Sequence, residues 1–208
     1  MTKRHVVLAL TGASGAIYGL RLGKELLASG ARLTMLISSA GFAVLKQETG
    51  FDWQGEREEV LGHLRHHFRA SALQLDYYAD NDFLAPVASG SRAPDAMVVC
   101  PCTMGTLSRI AAGNSGTLLE RVADVVLKER RPLVVVPRET PLSEIHLENM
   151  LKLARMGVRL VPAMPAFYHN PRSTDELVDF MVGKVLDSLG VANTLYRRWG
   201  EDSGTGDR

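Results

Sequence analysis

Arg138-Glu139 follows Pro137 and the apolar run Leu133 to Val136, which sets a guanidinium and a carboxylate where a buried strand ends. A planar guanidinium at that point can meet a phosphate with two parallel hydrogen bonds. Surface charge is the ordinary reading of basic runs; it suits Arg130 and Arg131 and suits Arg138-Glu139 less well. Arg121, Lys128, Tyr168 and Lys184 complete the charged and hydroxyl-bearing set that needs explaining. More anion chemistry lies in Thr11-Gly12-Ala13-Ser14-Gly15-Ala16. Gly12 and Gly15 allow backbone angles barred to other residues and bring main-chain N–H groups close to a ligand. Ser14 is the expected cap of a helix starting near Gly15, with that helix's free N–H groups and positive dipole end aimed at the turn. The plainer alternative is a tight connection with no ligand, and for a first strand in an α/β chain the anion site is the stronger reading.

The missing pieces narrow the ligand. A dinucleotide fingerprint needs G-x-G-x-x-G and an acidic residue roughly 20 positions on. Here the turn is G-x-x-G, and the next strand, Arg32 to Ile37, ends in Ser38-Ser39. The Ser38 hydroxyl suits a phosphate or ribitol oxygen better than a ribose diol, which disfavours NAD and favours a mononucleotide such as FMN. Thr103-Met104-Gly105-Thr106 is a second hydroxyl-bearing turn, and Ala88-Ser89-Gly90-Ser91 has the small side chains needed where a ring system slides past backbone. Metal is disfavoured. His63 and His67 stand at i, i+4 with no acidic ligand beside them, so a solvated basic face is expected, and Cys100-Pro101-Cys102 lacks a partner pair for zinc.

These residues need a scaffold. Val6 to Leu10 and Ala96 to Cys100 are continuous apolar runs, as strands buried on both faces are. Further strands are expected over Leu33–Ile37, Leu75–Ala79, Leu133–Val136 and Val158–Val161. Helices are expected over Gly15–Ala28, Ala40–Glu48, Glu56–Ala72, Leu118–Glu129 and Leu142–Met156, with a last one from the capping box Ser173-Thr174-Asp175-Glu176 to about Leu189. The stretch Asp80 to Pro94 reads as an irregular, functional loop. Alternation at this spacing predicts one domain over 1–199, a doubly wound, mostly parallel sheet with helices on both faces. Ligands then bind beyond the strands' carboxyl ends, so the loops after Leu10, Ile37, Cys100 and Val136 should converge. The polar tail 200–208 is expected to be disordered.

Composition limits the partners. The chain has 208 residues, is 46% hydrophobic and carries a net charge of +1, so no overall field recruits nucleic acid or a membrane surface. No apolar run approaches membrane-spanning length, the first residues lack a signal-peptide pattern, and two closely spaced cysteines suit a reduced, cytoplasmic setting.

Blocks along nearly the whole chain resemble the UbiX flavin prenyltransferases. They are Thr-Gly-Ala-Ser-Gly-Ala at 11–16, Pro-Cys-Thr at 101–103, Ala-Asp-Val-Val-Leu-Lys-Glu-Arg-Arg-Pro-Leu at 123–133, Val-Pro-Arg-Glu-Thr-Pro-Leu at 136–142 and Pro-Ala-Phe-Tyr-His at 165–169. The glycine turn alone is weak; the Lys-Glu-Arg-Arg-Pro-Leu and Arg-Glu-Thr-Pro-Leu blocks, in order and at family spacing, are specific. Residues 52–80 carry little of the likeness. The resemblance implies a Rossmann-like flavoprotein fold and transfer of a dimethylallyl group from dimethylallyl monophosphate to N5 and C6 of reduced FMN. It further implies a flavin reductase as electron source, hand-over of prenylated FMN to a UbiD-type decarboxylase, and a homo-oligomer, a dodecamer in the family. The pathway served would be ubiquinone synthesis or aromatic-acid decarboxylation.

By the same resemblance, Gly12, Ala13, Ser14, Ser38, Thr103, Met104, Gly105, Thr106 and Arg138 hold FMN. Lys128, Glu139, Tyr168 and Lys184 match positions that hold and activate the prenyl phosphate. Glu48, Arg121 and Ala88-Ser89-Gly90 match further pocket positions, and Trp199 the aromatic wall over the prenyl chain. Those roles make physical sense. Charge builds on a departing phosphate, which Lys128, Lys184 and the Tyr168 hydroxyl can stabilise. Glu139 can relay a proton, Ser14 can orient flavin N5, and Trp199 can shield an allylic cation from water. No Asp-Asp-x-x-Asp run is present to hold the magnesium of diphosphate donors, which accords with a metal-free monophosphate. Lys184 stands where several members have Arg, trading a fork for a point charge. The alternatives are an FMN-dependent decarboxylase of the related cysteine-decarboxylase group, and a non-catalytic FMN carrier. The first would need a histidine that Ala40 to Glu48 lacks, and the second would not need the Lys128, Glu139, Tyr168, Lys184 set.

Overall fold

Along β1 (His5–Leu10), alternate side chains enter two different apolar clusters: Val6, Leu8 and Leu10 one, Val7 and Ala9 the other. That is why the run is apolar without alternation: both faces of the strand are covered. The same holds for β2 (Arg32–Ile37), β4 (Ala96–Cys102) and β5 (Leu133–Pro137), while β3 (Leu75–Tyr77) and β6 (Arg159–Leu160) are short edges. The computed structural model describes residues 3–200, so the tail expected to be disordered lies, from 201 on, outside the described residues.

All pairings are parallel and the order is β3-β2-β1-β4-β5-β6. The chain winds outward from β1 to β3, returns to β4 beside β1, and winds outward again, so the sheet is doubly wound as expected. One face is covered by α1 (Ala16–Ala28), α2 (Ser39–Thr49), α3 (Arg57–Phe68) and α7 (Thr174–Leu189). The other is covered by α4 (Met104–Ala112), α5 (Leu118–Lys128) and α6 (Glu144–Arg155). The switch point between β1 and β4 is where such a sheet opens a crevice at its carboxyl edge.

One local expectation changes and another gains detail. The segment 80–94 contains short 3-10 turns at Pro86–Ala88 and Gly90–Arg92. His63 and His67 are exposed on α3, as expected of a solvated basic face, but their rings also pack on aromatic neighbours. Phe51, Trp53 and His63 stack in parallel, with ring centroids 4.7 Å and 6.5 Å apart, and His67 meets Phe51 and Trp53 edge-on. Trp53 is only 7% exposed, and burial lowers the His67 pKa. The aromatic partners come from the irregular stretch before α3, whose course no periodicity reveals.

Candidate functional site

The four strand-end loops do converge. The Thr11 hydroxyl donates to the Pro101 carbonyl at 2.8 Å and accepts from the Thr103 N–H at 2.8 Å, stitching the ends of β1 and β4 together. The Ser38 N–H reaches the Leu10 carbonyl at 3.0 Å, and the Arg138 N–H the Cys102 carbonyl at 3.3 Å. Arg138 Nε then donates to the Ser14 carbonyl at 3.1 Å, while among the described residues its two terminal nitrogens have no hydrogen-bond partner. Gly12 is needed for space: a Cβ there would sit 2.5 Å from the Ala40 Cβ. Of the two glycines of this turn only Gly15 has a positive φ, +108°, which corrects the expectation that Gly12 takes backbone angles barred to other residues.

A second correction concerns the start of α1. Its N-cap is Gly15, with no side-chain cap from Ser14. Glu48, reaching over from α2, caps it instead: its carboxylate accepts from the Gly15 N–H at 2.9 and 3.1 Å and from the Ala16 N–H at 2.9 Å. Partial burial opposes the charge on Glu48, but the Ser14 hydroxyl, those two amides and the nearby Arg138 prevail and hold its pKa below the usual carboxylate range. The anion expected at α1 is thus supplied by the protein, because an acid on a neighbouring helix completes what no local residue does. The helix starts that face the crevice are those of α2 and α4. Ser38 accepts from the Gly41 N–H at 3.1 Å, and Thr103 from the Thr106 N–H at 3.0 Å. With Arg138 they make a donor-rich rim that fits a phosphate-bearing ligand, flanked by Met104 and Gly105. Glu139 is exposed beside it, one carboxylate oxygen accepting from the Thr140 N–H at 3.0 Å.

Other candidates gather elsewhere. Arg121 Nε donates to the Ala88 carbonyl at 3.1 Å. Gly90 lies so close to the end of α5 that a Cβ would come within 2.6 Å of Lys128 Nζ. Ala88, Ser89, Gly90, Arg121 and Lys128 are therefore one group. Lys128 ends α5 just ahead of β5, and Arg138 follows β5, so the two stand at opposite edges of the sheet, a strand length of roughly 16 Å apart. Tyr168 belongs to a third group, with Trp199 edge-on at 5.2 Å and Phe180 at 6.0 Å. Lys184 is exposed one turn along α7 from Phe180, and Trp199 is 81% exposed. The segment bearing Trp199 is tied to α7 by Asp187, which accepts from Arg198 at 2.9 Å, Tyr196 at 2.6 Å and Asn193 at 2.9 Å. The Arg198 bond is the main reason its pKa falls to about 2; partial burial opposes the shift, and the Tyr196 and Asn193 bonds add to it.

Sequence reasoning missed Asp80, Arg109 and Glu120. Glu120 is 2% exposed, pairs with Arg109 Nε and accepts from the Gly116 N–H at 2.9 Å. The available signal was Thr117-x-x-Glu120, a capping-box pattern. Thr117 does cap α5, but the Glu120 carboxylate turns to Gly116 and Arg109 instead of closing the box. Asp80 carries no local signal: its carboxylate accepts from the Leu119 N–H at 2.9 Å across 39 residues.

With this geometry in view, the likenesses to known proteins are specific. A family model described as Flavoprotein matches residues 1–186. A flavin prenyltransferase UbiX of Halalkalibacterium halodurans is 50% identical over 195 residues, 94% of this chain and 93% of that one. A crystal structure of AnUbiX (PadA1) in complex with FMN and dimethylallyl pyrophosphate superposes with a TM-score of 0.86 at 38% identity, covering 97% of this chain and 100% of that one. A dodecameric FMN-dependent UbiX-like decarboxylase from Escherichia coli O157:H7 gives 0.83 at 40% identity, covering 95% and 100%.

Proposed function

This chain belongs to the UbiX family of flavin prenyltransferases, and on that footing we propose that it moves a dimethylallyl group from dimethylallyl monophosphate to N5 and C6 of reduced FMN. The observation that carries the reading is the rim of donors at the sheet's carboxyl edge: the capped starts of α2 and α4 with the Arg138 guanidinium between them. Such a rim fits the phosphate and ribitol oxygens of FMN. When bound, FMN supplies the nucleophilic N5 and C6 atoms, and the chain supplies everything that makes the donor react there. Ser14, anchored to Glu48, orients the N5 edge. The donor's C–O bond breaks and inorganic phosphate leaves, one prenyl carbon bonds to N5, and the donor's C=C bond is spent as its central carbon takes up a proton and its far carbon bonds to C6. Lys128, Lys184 and the Tyr168 hydroxyl stabilise the charge that grows on that phosphate. Glu139 holds and moves the protons displaced from the ring. Trp199 with Tyr168 keeps water from the allylic carbons.

The site is completed between copies of the chain. Lys128 with Ala88-Ser89-Gly90 and Arg138 with Ser14 stand at opposite edges of one sheet, so a prenyl phosphate held by the first group reaches a flavin held by the second only across a subunit boundary. Exposed apolar side chains on α6, Ile145, Leu147 and Leu151, suit burial in such an assembly, a dodecamer as in the E. coli relative. A flavin reductase provides the reduced FMN, a UbiD-type decarboxylase receives the product, and the chain works in the cytoplasm.

The test is anaerobic: purified protein, reduced FMN and dimethylallyl monophosphate without metal, with products read by mass spectrometry. An FMN heavier by one C5H8 unit is expected, lost in Glu139→Gln and Lys128→Ala. Unchanged FMN from a protein that binds flavin tightly would overturn the reading in favour of a carrier.

A further inference from the structure

A continuous chain of side-chain hydrogen bonds links the buried acid of α5 to the turn that opens α4. Glu120 holds Arg109 through Nε, and Arg109 Nη2 donates to Thr106 Oγ1 at 3.3 Å. Thr106 Oγ1 is bonded to Thr103 Oγ1 at 2.9 Å, and the Thr103 N–H is held by Thr11 Oγ1 at 2.8 Å. Glu120 is nearly inaccessible and Thr106 is 4% exposed, whereas the Arg109 side chain is half in solvent. An arginine so exposed would ordinarily wander. Here the buried carboxylate fixes one side of its planar fork, and the other side is thereby delivered to Thr106. The neighbouring Arg121 donates to the Ala88 carbonyl. Asp80, on the segment that leads to Ala88, is fastened to the same helix start by Leu119. Consecutive residues of α5 therefore brace two different parts of the site.

We propose that Arg109 and Glu120 are positioning residues for the flavin: the pair sets the Thr106 and Thr103 hydroxyls, and through them the first turn of α4, in the geometry that receives FMN. The proposal rests on the reading of that turn as an FMN site. Neither residue touches the ligand. Arg109 acts through Thr106 alone, and Glu120 acts through Arg109.

Arg109→Lys separates this role from simple stability. A lysine keeps a cation beside Glu120 but, as a point charge, cannot also reach Thr106. FMN affinity is measured by flavin fluorescence for the wild type, Arg109→Lys, Thr106→Val and the double variant, with melting temperature and assembly size recorded alongside. Arg109→Lys and Thr106→Val are each expected to weaken FMN binding about tenfold, the effect of losing one buried hydrogen bond. The double variant should be no weaker than either single one, because both cut the same link. Glu120→Gln, which frees Arg109 to swing into solvent, should reproduce the loss, and its melting temperature serves as the control for a purely structural effect. Unchanged affinity in Arg109→Lys, or a double variant whose losses multiply to about a hundredfold, would overturn the proposal. Should Arg109→Lys fail to assemble, the same decision falls to Glu120→Gln with and without Thr106→Val. Wild-type protein that binds no FMN would instead count against the flavin site itself.

Discussion

Glu48 shows how one side chain can do a turn's work from a distance. It accepts three hydrogen bonds from two amides at the start of α1, a place where helices prefer negative charge. Its pKa is held low in the folded chain, so its stabilisation is present above the ordinary carboxylate pKa and is lost as pH falls through the lower folded value. Glu48→Gln should cost about 1 kcal/mol at pH 7 in urea unfolding, the usual size of a lost helix cap. The gap from wild type should close as the pH is taken below about 4, where the wild-type carboxylate also takes up a proton. A gap independent of pH would mean that Glu48 acts by packing. The anion preference of this turn was legible in the sequence and its occupant was not, because Glu48 is 33 residues from Gly15. Gly12 was legible as a required glycine for the wrong reason, since a neighbouring helix crowds it and its dihedrals do not demand it.

Elements came through best where burial is two-sided. β1, β2, β4 and β5 read as continuous apolar runs, and Ser173 caps the start of α7 as expected, although the Glu176 carboxylate turns to the Arg172 N–H instead of closing a capping box. β6 is two residues long and β3 three, too short for a period, and both owe their form to pairing with a neighbour. At the amino edge of β1, His5 Nε2 lies 2.8 Å from the Thr34 hydroxyl on β2, and the His5 N–H donates to Asp95 at 2.8 Å. Burial first, then Arg32, lowers the His5 pKa to about 4 against the opposing pull of Asp95 and Asp76. The folded chain then binds fewer protons than the unfolded one between pH 6.5 and 4, so stability falls as pH drops through that window. Between pH 7 and 5 the His5 contribution should shrink by about 1–2 kcal/mol. Urea unfolding of wild type and His5→Gln at both values checks this: the variant should show the shallower pH dependence. Parallel slopes would place the loss on other groups.

At the scale of the whole molecule, the strand order and the convergence of four loops follow from rules of connection handedness and from where open α/β sheets bind ligands, which is why they could be read in advance. The separation of Lys128 from Arg138 could not, since resemblance assigns residues to a site without saying which copy of the chain provides them. Topology sets the two residues apart within one copy: α5 ends where β5 begins, and Arg138 begins where β5 ends. The consequence can be tested by complementation. Lys128→Ala and Arg138→Ala should each be inactive alone. In mixed assemblies formed from equal amounts of both, a site that draws Lys128 and Arg138 from different copies has a one-in-four chance of drawing two intact groups, so about a quarter of wild-type prenylated FMN should return. Were both residues drawn from one copy, every site would lack one of them whatever the mixture, and no activity would reappear. Mass spectrometry of the flavin after co-refolding or subunit exchange reads the difference, with native mass spectra confirming that mixed assemblies formed.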